Sequence, residues 1–321
     1  QEYVADHVFP GMLQGALRFS DHPRAVVKSI DTAAAQAAPG VVAVITAADV
    51  PGKRHQGLIK DDWYQFVAVG ETTHYIGDVL AAVAAETRAQ ARAAAELIEV
   101  EYEVLEPVTD PFEALAEGAP EVTPGGNLLS TSAYRIGDAE AAIAGAAHVA
   151  SDSFTTAGIE HAYLEPESSL AVPQNGGGPR LHVLSQGQGA WEDRRQIASL
   201  LGWDEQDVLV TQVATGGAFG GKEDLSVQGH AALAAHLLQR PVKVKLDRTE
   251  SIRMHPKRHP ITMEYTVGCD AQGKLTALRA RFLGDTGAYA SVGGKVLERA
   301  AGHATGAYHV PCVDIEARAV Y

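Results

Sequence analysis

The chain has 321 residues, 46% of them hydrophobic, enough for two or more ordinary domains each with a sizeable core. Forty acidic residues against twenty-six basic ones give a net charge of -14, which speaks against a nucleic-acid or anionic-membrane surface. Cys269 and Cys312 lie far apart without CxxC spacing, so they build no disulfide framework and no zinc or iron–sulfur site, and free thiols suit a reducing cytoplasm.

No secretory signal and no apolar run of membrane-spanning length is present, because charges interrupt the alanine-rich tracts. Residues 1–105 alternate short β-like runs with helical ones and carry no catalytic punctuation. Strands are expected over 12–19, 25–30, 41–46, 79–84 and 98–104, with helices over 32–38 and 87–97. From 106 to 126 the composition turns to proline, glycine and acid, with Pro107, Pro111, Pro120, Pro124, Gly125 and Gly126, and reads as a linker. The sequence opens at Gln1 within a β-like run and stops at Tyr321 straight after another, so it is expected to be cut from something longer.

Beyond the linker, Asp138 is placed to cap a helix over 139–147. Strands follow at 149–155, 168–172 and 180–184. Ser185-Gln186-Gly187-Gln188-Gly189 then leads into an amphipathic helix over 191–201, ended by Gly202. Next comes a strand with Val208, Val210 and Val213, a glycine run from Gly216 to Gly221, and a helix expected to carry Asp224 in its first turn and to end before Pro241. Strand, glycine loop and helix N-terminus would together form an anion cradle. Strands at 242–246, 261–267 and 275–282 and a glycine-rich loop at 284–294 complete the reading. His255 and His259 flank a basic turn and are expected to face solvent.

Gly216, Gly221 and Lys222 satisfy most of the phosphate-loop pattern, but Glu223 stands where a hydroxyl must hold magnesium, and a carboxylate there repels a triphosphate. Taken alone, the glycines could be a tight turn with Lys222 and Glu223 as surface charges. A second strand-to-helix glycine turn at 186–189 argues for a site. His161 and Glu165, four apart, lack a third metal ligand and read as part of a structural polar network.

The order His161-Ala-Tyr-Leu-Glu165-Pro166, Ser185-Gln186-Gly187, Gly216-Gly-Ala-Phe219-Gly-Gly-Lys-Glu223 and Glu298-Arg299 resembles the molybdenum hydroxylases, typified by xanthine dehydrogenase and aldehyde oxidase. The resemblance covers nearly the whole chain. It implies an α+β architecture: an α/β hammerhead domain at 1–105, the linker at 106–126, and a mixed α/β first molybdopterin-binding domain at 127–321, truncated, with the second lobe absent. By the same resemblance, Gln186 hydrogen-bonds near the metal's apical ligand, Phe219 and Gly220 line the metal centre through their backbone amides, and Gly217 is a further cofactor-binding residue. Glu223 and Arg299 become the catalytic pocket pair. Together they favour a purine-like N-heterocycle of the xanthine or hypoxanthine type, since a guanidinium stabilises negative charge on the ring while a carboxyl group manages ring protons.

Each residue also has a plainer reading: Gln186 as a helix cap, Phe219 as core, Glu223 as a carboxylate stabilised by a helix dipole, Arg299 as the ion-pair partner of Glu298 or another surface acid. The resemblance further implies molybdenum–molybdopterin, with a dinucleotide form left open, iron–sulfur clusters and FAD on partner domains or subunits, and a two-fold oligomer. The general-base glutamate of the family falls past Tyr321, so the chain alone is expected neither to retain the cofactor nor to turn over. Oxidation of an aldehyde or another heterocycle by the same family, and a non-catalytic partner-binding module, stay open.

Overall fold

A computed structural model of the chain describes residues 2–321. It divides into two compact units, Gln1–Pro107 with Glu160–Pro256, and Val108–Ile159 with Lys257–Tyr321. The first stretch of the first unit contains β1 (Leu13–Phe19), β2 (Ala25–Asp31), α1 (Ala33–Gln36), β3 (Val41–Thr46), the two-residue strands β4 (His55–Gln56), β5 (Trp63–Tyr64) and β6 (Thr72–Thr73), β7 (Val79–Ala85), α2 (Arg88–Ala95) and β8 (Glu99–Val104). The Thr87 hydroxyl caps α2 by accepting from the Gln90 amide. The chain then gives the second unit α3 (Pro111–Ala114), β9 (Leu128–Ile136), α4 (Ala139–Ala144) and β10 (His148–Thr156). A short helix thus interrupts the proline-rich linker, started by Asp110, whose carboxylate accepts from the Phe112 and Glu113 amides.

Returning to the first unit, the chain forms β11 (Ser168–Pro173), β12 (Leu181–Ser185), α5 (Ala190–Leu201), β13 (Val208–Gln212), α6 (Val227–Leu238), β14 (Val242–Lys245) and α7 (Arg248–Met254). Seven strands make its main sheet in the order β13-β12-β11-β14-β1-β7-β3. β1 runs parallel to β14, with Leu13 opposite Val242, so strands from 1–105 and from 127–321 share one sheet. Every residue of β7 is buried, as its unbroken valine–alanine run suggests. Ile197, Leu200 and Leu201 of α5 and Ala231 to Ala235 of α6 close the core against Leu13, Val183 and Val242.

The second unit is completed by β15 (Ile261–Cys269), β16 (Leu275–Asp285), α8 (Gly293–Gly302) and β17 (Cys312–Val320), in a sheet ordered β10-β15-β16-β17-β9. Leu297 and Ala301 of α8 pack into the cluster of Phe282, Ile315 and Ala317. No helix among the described residues is long and apolar enough to cross a membrane.

Two expectations are corrected. The helix after the glycine run begins at Val227, not around Asp224, because the Gln228 side chain accepts from both the amide and the hydroxyl of Ser226 and fixes the start there. Residues 222–226 therefore separate the glycines from the helix N-terminus, and its dipole does not add to the loop amides as a single cradle. His255, expected in solvent, is 3% exposed: the unanticipated helix α7 ends at Met254 and turns the ring inward.

Candidate functional site

The glycine loop lies on the His161–Pro166 segment, and the two motifs form one structure. A Cβ at Gly216 would stand 2.6 Å from Glu165 Cβ, so only glycine fits. The Gly216 amide donates to Glu165 Oε2 at 2.7 Å. Gly217 and Gly220 have φ of +93° and +91°, and Phe219, between them, has φ of +53°. For a bulky side chain this left-handed backbone costs about 1–2 kcal/mol. Its ring gains no core contact in return: Phe219 is 74% exposed, so it is not a core residue.

Accounting for the loop amides locates its binding capacity. Gly220 N and Lys222 N donate to Gln188 Oε1 at 2.9 and 3.3 Å, and Gly221 N donates to the Ala218 carbonyl at 2.8 Å. The consecutive amides of Gly217, Ala218 and Phe219 have no acceptor among the described residues. Three adjacent donors beside an exposed aromatic ring suit the oxygens of an anionic group. Of the two amides expected at the metal centre, that of Phe219 is open and that of Gly220 is held by Gln188.

Gln186 is 2% exposed and does not cap α5, whose N-cap is Gly189. Its Nε2 donates to the Pro166 carbonyl at 2.7 Å and to Ser168 Oγ at 2.8 Å. Its Oε1 accepts from Lys222 Nζ, which also donates to the Glu165 carbonyl at 2.7 Å and lies 4.3 Å from the centre of the Tyr163 ring. Lys222 is not a surface charge but a buried one, and burial pushes its ammonium down to about 8 against the pull of Glu165 and Glu167.

Beneath it, the Tyr163 hydroxyl donates to Glu167, which faces His255 Nδ1 at 3.1 Å, while His255 Nε2 meets Glu160 Oε1 at 2.8 Å. Burial raises the Glu167 carboxyl, but its bonds to His255 and Tyr163 outweigh that and hold it below the usual range. Burial, followed by the Glu167 charge, pushes the Tyr163 hydroxyl up. Glu165 Oε2 faces the Gly216 amide, and the described residues hold no cluster of three or more His, Cys, Asp or Glu side chains placed for an ion.

Glu223 is half-buried at the end of the loop, and its carboxylate has no hydrogen-bond or ion-pair partner among the described residues. Gln186, Gly217, Phe219, Gly220 and Glu223 thus gather in the first unit. Arg299 is exposed on α8 of the second unit, and Glu298 beside it pairs with Lys295 at 2.5 Å, so the plainer reading of Arg299 as the partner of Glu298 is not realised. A cavity of about 390 Å³ in the second unit, lined by Phe112, Leu115, Glu264, Arg281 and Glu316 among others, includes none of these residues.

Sequence reasoning missed Lys222 as an internal tie and also Asp193, which is fully buried. The second had a signal: Asp193 shares the helical stripe of Ile197, Leu200 and Leu201 at i+4, i+7 and i+8.

Two family models match: "Aldehyde oxidase and xanthine dehydrogenase, a/b hammerhead domain" over residues 1–106 and "Molybdopterin cofactor-binding domain" over residues 122–321. A probable xanthine dehydrogenase subunit of Bacillus subtilis (strain 168) is 37% identical over 320 residues, covering 100% of this chain and 42% of that one. The nicotinate dehydrogenase large molybdopterin subunit of Eubacterium barkeri is 36% identical, covering 100% of this chain and 74% of that one. Among solved structures, aldehyde oxidoreductase from Desulfovibrio gigas matches with a TM-score of 0.94 and 29% identity, over 99% of this chain and 36% of that one. Quinoline 2-oxidoreductase from Pseudomonas putida 86 matches with a TM-score of 0.87 and 31% identity, over 99% and 42% respectively.

Proposed function

The chain belongs to the aldehyde oxidase and xanthine dehydrogenase family of molybdenum hydroxylases, and from that premise we propose that it seats molybdopterin in an enzyme that oxidises a purine-like N-heterocycle. The observation that carries the cofactor part is the run of open amides at Gly217, Ala218 and Phe219, whose donor chemistry fits the oxygens of such a group. When bound, the group supplies the two-electron oxidation and the oxygen taken from water.

This chain's residues bind and orient. The Phe219 amide would hold an oxygen of the group, aimed by the left-handed turns at Gly217 and Gly220, and the exposed Phe219 ring would wall off water. Gln186, its side chain held by Pro166, Ser168 and Lys222, would hydrogen-bond near the group. Glu223 holds or gives up a proton at a ring nitrogen of the substrate, and Arg299 stabilises the negative charge that gathers on the ring. Iron–sulfur and flavin groups on partner domains or subunits, a two-fold assembly and a cytoplasmic location belong to the same reading; the two free cysteines support the last. The segments 1–105, 106–126 and 127–321 are kept as its sequence modules.

A second substrate reading is favoured by the nicotinate dehydrogenase relative, nearly as similar as the xanthine dehydrogenase one. There Arg299 would pair with a ring carboxylate. Turnover assays of the complete, natively purified enzyme with hypoxanthine, xanthine, nicotinate and an aromatic aldehyde, in parent and Glu223→Gln forms, separate the two. The purine reading expects purines to be the best substrates and the variant to lose them. Preference for nicotinate or the aldehyde, with Glu223→Gln unaffected, overturns it.

A further inference from the structure

We propose that Asp193 is a positioning residue, a single buried carboxylate that holds the 185–189 turn and the 215–226 loop in fixed relation to each other. Its Oδ2 accepts from Ser185 Oγ at 2.6 Å, and Ser185 Oγ in turn accepts from the Gly187 amide at 3.0 Å. That ties α5 to the first turn. On the other side, Gln228 Nε2 lies 3.3 and 3.4 Å from the two Asp193 oxygens, and Gln228 Oε1 takes the Ser226 amide at 2.9 Å and hydroxyl at 3.1 Å. That ties the carboxylate to the end of the second loop. Two side chains, Ser185 and Gln228, bond the Asp193 carboxylate directly, and the Gly187 amide and the amide and hydroxyl of Ser226 bond those two in turn.

The backbone rests directly on this cluster. A Cβ at Gly187 would meet Asp193 Oδ2 at 2.9 Å, Gln228 Nε2 at 3.0 Å and Ser185 Oγ at 3.1 Å. No cationic side chain pairs with Asp193 among the described residues, and burial pushes its carboxyl up to about 7 although the Ser185 and Gln228 bonds pull it down. An apolar residue would suit this stripe of α5 at less cost, so stability alone does not account for an acid here. What the acid provides is an acceptor that Ser185, at the first turn, and Gln228, at the end of the second loop, share. At the front, Gln188 joins the same two turns through the Gly220 and Lys222 amides, and Asp193 closes the joint at the rear.

The clamp itself stands on this geometry; its use in presenting Gln186 and the Gly217–Phe219 amides to a cofactor rests on the proposed function. Hydrogen exchange followed by mass spectrometry on the full chain tests it, reading peptides that span 185–190 and 214–226. Asp193→Ala and Gln228→Ala are each expected to speed exchange in both stretches by about tenfold or more, leaving β16 and α8 unchanged. Asp193→Asn sets two amides facing each other and Gln228→Glu sets two carboxylates facing each other, so each loosens both stretches. The double variant D193N/Q228E restores one donor and one acceptor and is expected to return protection close to that of the parent.

Loosening of 185–190 alone, or a double variant as loose as its two singles combined, overturns the clamp. Should the alanine variants fail to fold, the exchange pair decides by the same comparison. Molybdenum content of the complete enzyme separates the two layers. If the coupled loosening is seen and D193A retains full molybdenum, the clamp holds and the cofactor-seat reading of these turns fails.

Discussion

Lys222 Nζ donates to the side-chain carbonyl of Gln186, and both residues are 2% exposed. The bond joins the two glycine turns beneath their surface. It also makes the lysine of the phosphate-loop-like pattern an internal tie.

Lys222→Met removes that bond and the one to the Glu165 carbonyl, leaving two buried acceptors without a donor. An expected loss of about 2–4 kcal/mol follows, measurable by urea unfolding. A variant as stable as the parent would show the amine to be dispensable to the fold.

Asp193 makes stability depend on pH in a direction unusual for an aspartate. Its carboxyl is pushed up to about 7 from an ordinary 3.8, so between those values the native state holds a proton that the unfolded chain has released. Stability then falls as pH rises through this window, by at most about 4 kcal/mol from this group. Asp193→Asn should flatten that part of the profile relative to the parent. Parallel slopes from pH 4 to 7 would mean the acid is not held protonated.

Phe219→Gly relieves a left-handed φ at a side chain that makes little core contact, so stability should shift by no more than about 1 kcal/mol. Turnover by the complete enzyme should nonetheless drop, because the ring is lost and the residue's amide is held less firmly in place. Thermal melts alongside kcat distinguish strain kept for binding from a loop tolerant of change.

Gly216→Ala forces a Cβ to within 2.6 Å of Glu165 Cβ, and the loop must lift off its seat. The cost is expected at about 1–3 kcal/mol, together with loss of the Gly216–Glu165 bond. A melting temperature within error of the parent would show that the two motifs do not need such close approach.

Local signals in the sequence carried the elements well where caps and alternation act within a few residues. Asp138 accepts the amide bond expected of a helix cap, and Gly202 ends α5 in the left-handed conformation. Hairpins such as β15 with β16 were legible for the same reason. What failed depended on distant partners. The inward turn of His255 is set by Glu160 and Glu167, nearly a hundred positions earlier in the chain, and no local periodicity encodes it. The start of α6 moved because Gln228 claims Ser226, a side-chain choice that a helix-capping pattern at Asp224 does not reveal. Lys222 could not be placed from its neighbours, because a buried ammonium requires acceptors that only the folded chain assembles. The site residues themselves were legible only through the resemblance: a glycine loop alone shows that a backbone comes close to something, not to what.

If these turns seat molybdopterin in a purine-oxidising hydroxylase, the complete gene product, purified natively, carries the metal and turns over purines. Inductively coupled plasma mass spectrometry beside an assay with hypoxanthine measures both. Stoichiometric molybdenum with purine turnover, slowed roughly a hundredfold or more by Arg299→Met at unchanged molybdenum content, is the expected result. A molybdenum-free protein from cells that load its relatives, or turnover indifferent to Arg299 and Glu223, would contradict it.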